Sequence, residues 1–170
     1  MNHPLNGRGA SHDFDFLMGR WRIQNRKLLK LLQGCDEWET FEATQQAWPL
    51  PGRIGNYDEF VAESWRPGYV GMALRVFNPE TQRWSIYWLT NRNGGIDGKT
   101  GALTPPVVGG FKDGIGIFEG RDELEGRPIL VRFIWSNISR DSANWEQEFS
   151  ADDGRTWEKN WFMEMRRVGE

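Results

Sequence analysis

The segment NWEQEFSADDGRTWEKNWFMEM, residues 144–165, decides the fold. Apolar and polar side chains alternate on both sides of the central DDG, residues 152–154, which is typical of two half-buried β-strands joined by a tight turn. Pairing the two arms about that turn places Trp145 opposite Trp161, with Gln147 on the same face. We expect that face to point inward, because the opposite face carries a polar set: Asn144, Glu146, Glu148, Glu158, Asn160 and Glu164.

The same alternation recurs between turn signals along the whole chain and predicts about ten short strands. Their bounds are 20–29, 37–47, 56–62, 70–77, 83–90, 107–112, 115–124, 128–136, 143–150 and 155–167. Ten strands joined mainly by turns form a sandwich or a barrel, and closure is favoured because an open sheet leaves two exposed edges. We therefore predict an all-β protein with one antiparallel barrel domain over residues 13–170. A flexible arm at 1–12 and a short N-terminal helix near 13–18 precede the first strand.

Bulk composition argues against several function classes. The 21 basic and 24 acidic residues are interspersed without a basic stripe, so no nucleic-acid partner is expected. One cysteine gives no disulfide framework, and both histidines precede the first strand, so we predict no metal site, no cofactor and no histidine-based catalytic centre. No run reaches membrane-spanning length and no signal-peptide core is present, so a soluble, cytoplasmic protein is expected.

The chain contains ten tryptophans, and many of them lie on the predicted strands. Two interpretations of the inward-facing rings stay open: a solid aromatic core, or the wall of a cavity. Barrels of eight to ten strands often leave space in the lumen, which favours the cavity. The rings concerned are Trp84, Trp88, Phe133, Trp135, Trp145 and Trp161. Of these, Trp88, Trp135, Trp145 and Trp161 are expected to form the apolar wall.

A guanidinium group is expected among these rings. In one register of the hairpin around residues 78–81, Arg75 lies between Phe77 and Ala73 and beside Ile86, whereas a one-residue slip places Tyr87 on that face instead. A buried arginine needs an anion or several acceptors. The candidates are a ligand carboxylate or one of Glu42, Asp58 and Glu59. Two glycines, at 116 and 120, are expected opposite large residues of the neighbouring strand, where they leave room in the lumen or relieve crowding.

Gly19-Arg20-Trp21 resembles the Gly-x-Trp signature that opens the barrel of lipocalins and other calycins. Over residues 13–168 the chain resembles a family of uncharacterised bacterial lipocalin-like proteins with a domain of unknown function. The segments that carry this resemblance are 13–21, 74–79, 83–88, 145–150 and 157–161. The resemblance implies a calycin-type barrel with Trp21 closing its base and Arg166 or Arg167 lying across that ring. It implies no activity.

Together these features predict non-covalent binding of a small hydrophobic or aromatic molecule with a polar or anionic group. The predicted ligand-binding residues are Trp21, Arg75, Trp88, Phe133, Trp135, Trp145, Gln147 and Trp161, with the loop 91–106 as a lid. One alternative is a cofactor-free isomerase or cyclase that uses Arg75 with Glu42 or Glu59, although the sequence favours a protein without enzymatic activity. Another is carbohydrate binding through Trp38, Trp48 and Trp65. The stretch Leu28–Leu32 predicts one of two structures. It forms either a helical turn or a strand end that packs on a second copy of the chain in a homodimer.

Overall fold

The computed structural model describes residues 9–92 and 94–169, and ten antiparallel strands dominate them. Helical structure in these residues consists of two short 3₁₀ turns, at Asp15–Leu17 and Pro51–Arg53. The strands are β1 (Gly19–Leu28), β2 (Trp38–Pro49), β3 (Gly55–Val61), β4 (Val70–Asn78), β5 (Arg83–Thr90), β6 (Val107–Lys112), β7 (Ile115–Leu124), β8 (Arg127–Ser136), β9 (Ser142–Ser150) and β10 (Glu158–Arg167).

The sheet closes into a barrel. Each strand pairs with its neighbours in the sequence, and β1 also pairs with β10 from Trp21 opposite Arg167 to Lys27 opposite Trp161. Closure confirms the predicted all-β barrel, although β6 pairs with only three residues of β5, Trp84–Ile86. The bounds of β5, β6 and β7 are those predicted, because each begins and ends at a clear turn signal. No helix in the described part of the chain is long and apolar enough to span a membrane.

The last hairpin differs from its predicted register. The predicted pairing of Trp145 with Trp161 is wrong: Trp145 lies opposite Met163, and Trp161 lies opposite Gln147. The predicted tight turn is a longer connection, residues 151–157, and the ladder shifts between Lys159 and Trp161. The partner of Trp145 moves by two residues, so both indoles still point inward. The expected polar face is wrong at Glu148 and Asn160, which are buried.

The two other predicted registers are confirmed. In the β4–β5 hairpin, Arg75 lies opposite Ile86, and the alternative register that would turn Tyr87 inward is not adopted. In the β7–β8 hairpin, Phe118 lies opposite Phe133. The sequence predicts two possible roles for Gly116, and the structure shows relief of crowding. A Cβ there would lie 2.6 Å from the ring of Phe111, which occupies that part of the interior.

An aromatic plug, formed by Phe14, Trp21 and Trp84, fills the base of the barrel. Trp21 is 1 % exposed and donates its indole N–H to the carbonyl of Leu17 at 2.8 Å. The guanidinium of Arg167 lies 4.3 Å from the Trp21 ring centroid and donates to the carbonyls of Phe16 and Met18. Of the two candidate cations, Arg167 is therefore the one that covers Trp21, as the resemblance to calycins implied.

The chain before β1 packs on this base. The predicted arm, 1–12, lies outside the described residues over 1–8, while Gly9 donates its N–H to the Gln82 carbonyl at 2.7 Å. The 3₁₀ turn that follows has no side-chain cap, and Asp13 instead accepts a hydrogen bond from the N–H of Ala10 at 2.6 Å. Residues 29–33, after β1, form bends rather than a helical turn.

Candidate functional site

A small cavity lies in the upper part of the lumen, above the aromatic plug. Seven of the eight predicted ligand-binding residues line it: Arg75, Trp88, Phe133, Trp135, Trp145, Gln147 and Trp161. They come from strands β4, β5, β8, β9 and β10, whose alternate side chains share the inner face. The remaining predicted residue, Trp21, does not line the cavity, because it sits in the plug below.

The cavity also has lining residues that the sequence reasoning did not assign to the site. These are Gln45, Asp58, Phe60, Ala73, Ile86 and Met163, of which the sequence predicts Asp58 only as a possible partner of Arg75. The signal for Gln45 is present in the sequence, since it follows Phe41 and Ala43 at two-residue steps along β2. A glutamine on an otherwise apolar inner face therefore marks a polar position inside the barrel.

A buried ion pair forms the polar centre of the cavity. Arg75 Nη2 lies 2.6 Å from Asp58 Oδ2, and the two side chains are 5 % and 1 % exposed. Arg75 Nη1 donates to Asn56 Oδ1 at 3.0 Å, and the backbone N–H of Ala73 donates to Asp58 Oδ1 at 3.0 Å. Each oxygen of Asp58 thereby accepts one hydrogen bond, and the guanidinium charge is neutralised within the protein.

The other two carboxylates proposed as partners of Arg75 lie outside the barrel. Glu42 is exposed and accepts a hydrogen bond from Gln24 Nε2 at 2.7 Å, and Glu59 is also exposed. Both belong to the outward-facing set of their strands, one residue out of phase with the buried positions. The pairing of Arg75 with Glu42 or Glu59, on which the enzymatic alternative depended, is therefore wrong.

Three N–H donors on the cavity-lining residues have no hydrogen-bond partner within the described chain. They are Gln45 Nε2, Arg75 Nε and Trp135 Nε1. The parent residues are 7 %, 4 % and 3 % exposed. An unpaired donor at such burial costs about 1–3 kcal/mol, so three around one small cavity are an unusual concentration.

The aromatic wall is held by edge-to-face contacts centred on Trp161. Its ring lies 5.7 Å from Trp145 and 6.5 Å from Trp88, both nearly perpendicular. The indole N–H of Trp161 donates to Asn25 Oδ1 at 3.0 Å, which fixes the orientation of the ring. Trp88 lies across Gly71, where a Cβ would be 2.3 Å from a ring carbon, so only glycine leaves room for this indole.

A polar and aromatic cluster covers the upper end of the lumen. Trp65 stacks on Phe41 with centroids 4.7 Å apart and donates to Glu39 Oε1 at 2.9 Å. The Lys27 ammonium lies 5.0 Å from the Trp161 ring centroid. Burial lowers the pKa of Lys27, and the Glu39 carboxylate opposes that shift. No residue of the loop 91–106 that the structure describes lines the cavity, so the loop as a lid stays a prediction.

The cavity is small for a ligand site. Its volume is about 50 Å³. This is about a third of the roughly 150 Å³ that accommodates benzene in an engineered apolar cavity. Phe133, Trp88 and Gln147 are the lining side chains that are only half-buried. A ring-sized molecule enters only if some of them rotate.

Comparisons with known proteins address the fold. No family model matches the chain, and no curated protein does. A solved structure shares the fold. It is a protein of unknown function from the DUF3598 family of Nostoc punctiforme PCC 73102, with 12 % sequence identity and a TM-score of 0.52. The match covers 91 % of this chain and 49 % of that one, so this chain spans about half the length of the solved protein. At this identity the likeness concerns the fold alone.

Proposed function

We propose that this protein is a calycin-type barrel that binds, without covalent chemistry, a small hydrophobic or aromatic molecule bearing a polar group. The supporting observation is a cavity with aromatic walls and a charged pair at its centre. A core selected only for packing would fill such a space with apolar side chains, because each void and each buried polar group lowers stability. A binding site retains both, since apolar walls with a few polar groups give affinity and orientation.

Two arms of one experiment test this proposal. Native mass spectrometry of freshly purified protein is expected to show a co-purified small molecule at one per chain. Isothermal titration with toluene, acetophenone and benzoate is expected to give saturable 1:1 binding with at least one probe. Phe133→Ala removes a half-buried ring from the cavity wall and should tighten that binding, because less protein has to move.

The matched control is Phe162→Ala. This change deletes the same atoms from β10 on the face opposite the lumen, where the ring lies 5.8 Å from Trp38. It should leave the affinity for the probes unchanged. Absence of a co-purified molecule, together with no binding of any probe to wild type or to Phe133→Ala, would overturn the proposed function.

Neither alternative function gains support from a specific contact. For an enzyme, the carboxylate beside Arg75 among the described residues is Asp58, and both of its oxygens already accept hydrogen bonds. For carbohydrate binding, two of the three tryptophans already stack on another ring: Trp48 on Tyr57 at 5.3 Å, and Trp65 on Phe41.

A further inference from the structure

The unpaired polar atoms around the cavity are all of one kind. Among the described residues, four buried side-chain nitrogen or oxygen atoms lack a partner, and all four are nitrogens. Three of them, on Gln45, Arg75 and Trp135, belong to residues that line the cavity. The indole nitrogen and the guanidinium Nε can only donate, and an amide Nε2 also only donates. The cavity therefore offers hydrogen-bond donors and requires an acceptor.

Two acceptors beside the cavity already receive hydrogen bonds. Asp58 accepts from Ala73 and Arg75, and Asn56 accepts from Arg75. The amide of Gln147 donates to Asn160 Oδ1 at 2.9 Å. The fully buried atoms that lack a partner at this cavity are therefore donors, which a ligand acceptor satisfies and a ligand donor does not.

The charge of the site selects between two kinds of acceptor. Arg75 and Asp58 neutralise each other at 2.6 Å, so the buried polar centre has no net charge. A carboxylate in this enclosed space would add a negative charge without a dedicated countercharge, at a large desolvation cost. A neutral carbonyl accepts the same hydrogen bonds without that cost.

From these observations we infer that the ligand carries an uncharged carbonyl oxygen, as in a small ketone, aldehyde, ester or amide, which accepts hydrogen bonds from Gln45, Arg75 and Trp135. The inference rests on the proposed binding function and narrows it, since it excludes the anionic ligands that the sequence allowed.

Matched probes test the inference. Acetophenone and α-methylstyrene have the same shape, but the second carries a methylene group in place of the carbonyl oxygen, and benzoate adds a negative charge. Isothermal titration of wild type and of Phe133→Ala should show acetophenone binding at least about tenfold more tightly than α-methylstyrene. The reason is that only acetophenone can accept hydrogen bonds from the unpaired donors. Benzoate should bind more weakly than acetophenone.

Two variants locate the donors. Trp135→Phe and Gln45→Leu each remove one donor and should reduce the preference for acetophenone over α-methylstyrene. Trp84→Phe is the control, because this equally buried indole already donates to the Ala10 carbonyl at 3.1 Å and does not line the cavity. In wild type, the indole N–H resonance of Trp135 should move downfield with acetophenone but not with α-methylstyrene, a readout that needs no variant to fold.

The outcomes separate the two proposals. Equal binding of acetophenone and α-methylstyrene, or tighter binding of benzoate, leaves the binding function standing and refutes the carbonyl inference. A preference that survives both variants, with an unmoved Trp135 resonance, also refutes it, because the named donors then play no part. Failure of all three probes to bind refutes the carbonyl inference, and it removes the binding function as well if no small molecule co-purifies with the protein.

Discussion

A substitution in the buried pair of Arg75 and Asp58 should have a large effect on stability. Asp58→Asn removes the negative charge while keeping an acceptor for the N–H of Ala73. The two side chains are 5 % and 1 % exposed, so water does little to screen the guanidinium that remains. Removing one partner of such a pair costs about 3–5 kcal/mol. In a chain of this length, that corresponds to a fall in Tm of about 6–20 °C.

The assay is urea unfolding followed by circular dichroism, with the free energy of unfolding taken from the linear dependence on urea. Arg75→Met is measured alongside, and the double variant completes a cycle. The double variant should be about 1–3 kcal/mol less destabilised than the sum of the two single changes, because it leaves no unpaired charge. Glu146→Gln serves as the control, since its partner Lys159 is 52 % exposed. This control should cost less than about 1 kcal/mol.

Two results would refute this reasoning. If Asp58→Asn costs no more than the exposed control, the pair is solvated, and the lumen is more open to water than its burial indicates. If the single effects add without coupling, Arg75 and Asp58 do not depend on each other. Either result would also remove the charge argument against anionic ligands.

Two further predictions concern the cavity wall and the last hairpin. Gly71→Ala should displace the Trp88 indole, whose nearest ring carbon would lie 2.3 Å from the new Cβ, and should lower the urea-unfolding free energy by about 1–3 kcal/mol. Gly98→Ala is its control, because a Cβ there meets no atom within 4 Å, and it should not lower stability. Hydrogen bonds, first from the Thr156 hydroxyl, lower the pKa of Asp152 to about 2. Because a lowered carboxyl pKa favours the folded state above the unfolded value, this contribution is complete above about pH 4 and is lost as pH falls towards 2. Asp152→Asn should therefore flatten that part of the pH dependence of unfolding, and an unaltered profile would contradict the assigned hydrogen bonds.

The sequence predicts the fold well because the strands are delimited by local signals. The turn at residues 78–81 sets the β4–β5 register, and the inward position of Arg75 follows from it. The last hairpin was less predictable, because two one-residue shifts add up: Phe149 lies opposite Glu158 at the turn end of the ladder, and the ladder shifts once more before Trp161. Two-residue periodicity survives such a shift, so the inward face was right although the pairing was wrong.

The candidate site was less predictable than the fold. The strand pattern identified which side chains face the lumen, but it does not determine how completely they fill it. The sequence does not distinguish Asp58 from Glu42 and Glu59 as the partner of Arg75. That choice depends on which alternate residues of β3 face the lumen, and the structure shows that Asp58 is one of them. The unpaired donors of Gln45 and Trp135 depend on three-dimensional neighbours from several strands, so no local pattern reveals them.

The ten indole N–H groups provide the most direct test that a ligand enters the barrel, because tryptophans lie in the cavity wall, in the plug and towards the outside. The measurement is a ¹⁵N–¹H spectrum of the whole protein during titration with acetophenone. The account predicts shifts at the cavity indoles Trp88, Trp135, Trp145 and Trp161, with Trp21, Trp38 and Trp48 unmoved. Shifts confined to Trp38, Trp48 and Trp65, or no shift at saturation of the solvent with acetophenone, would contradict it.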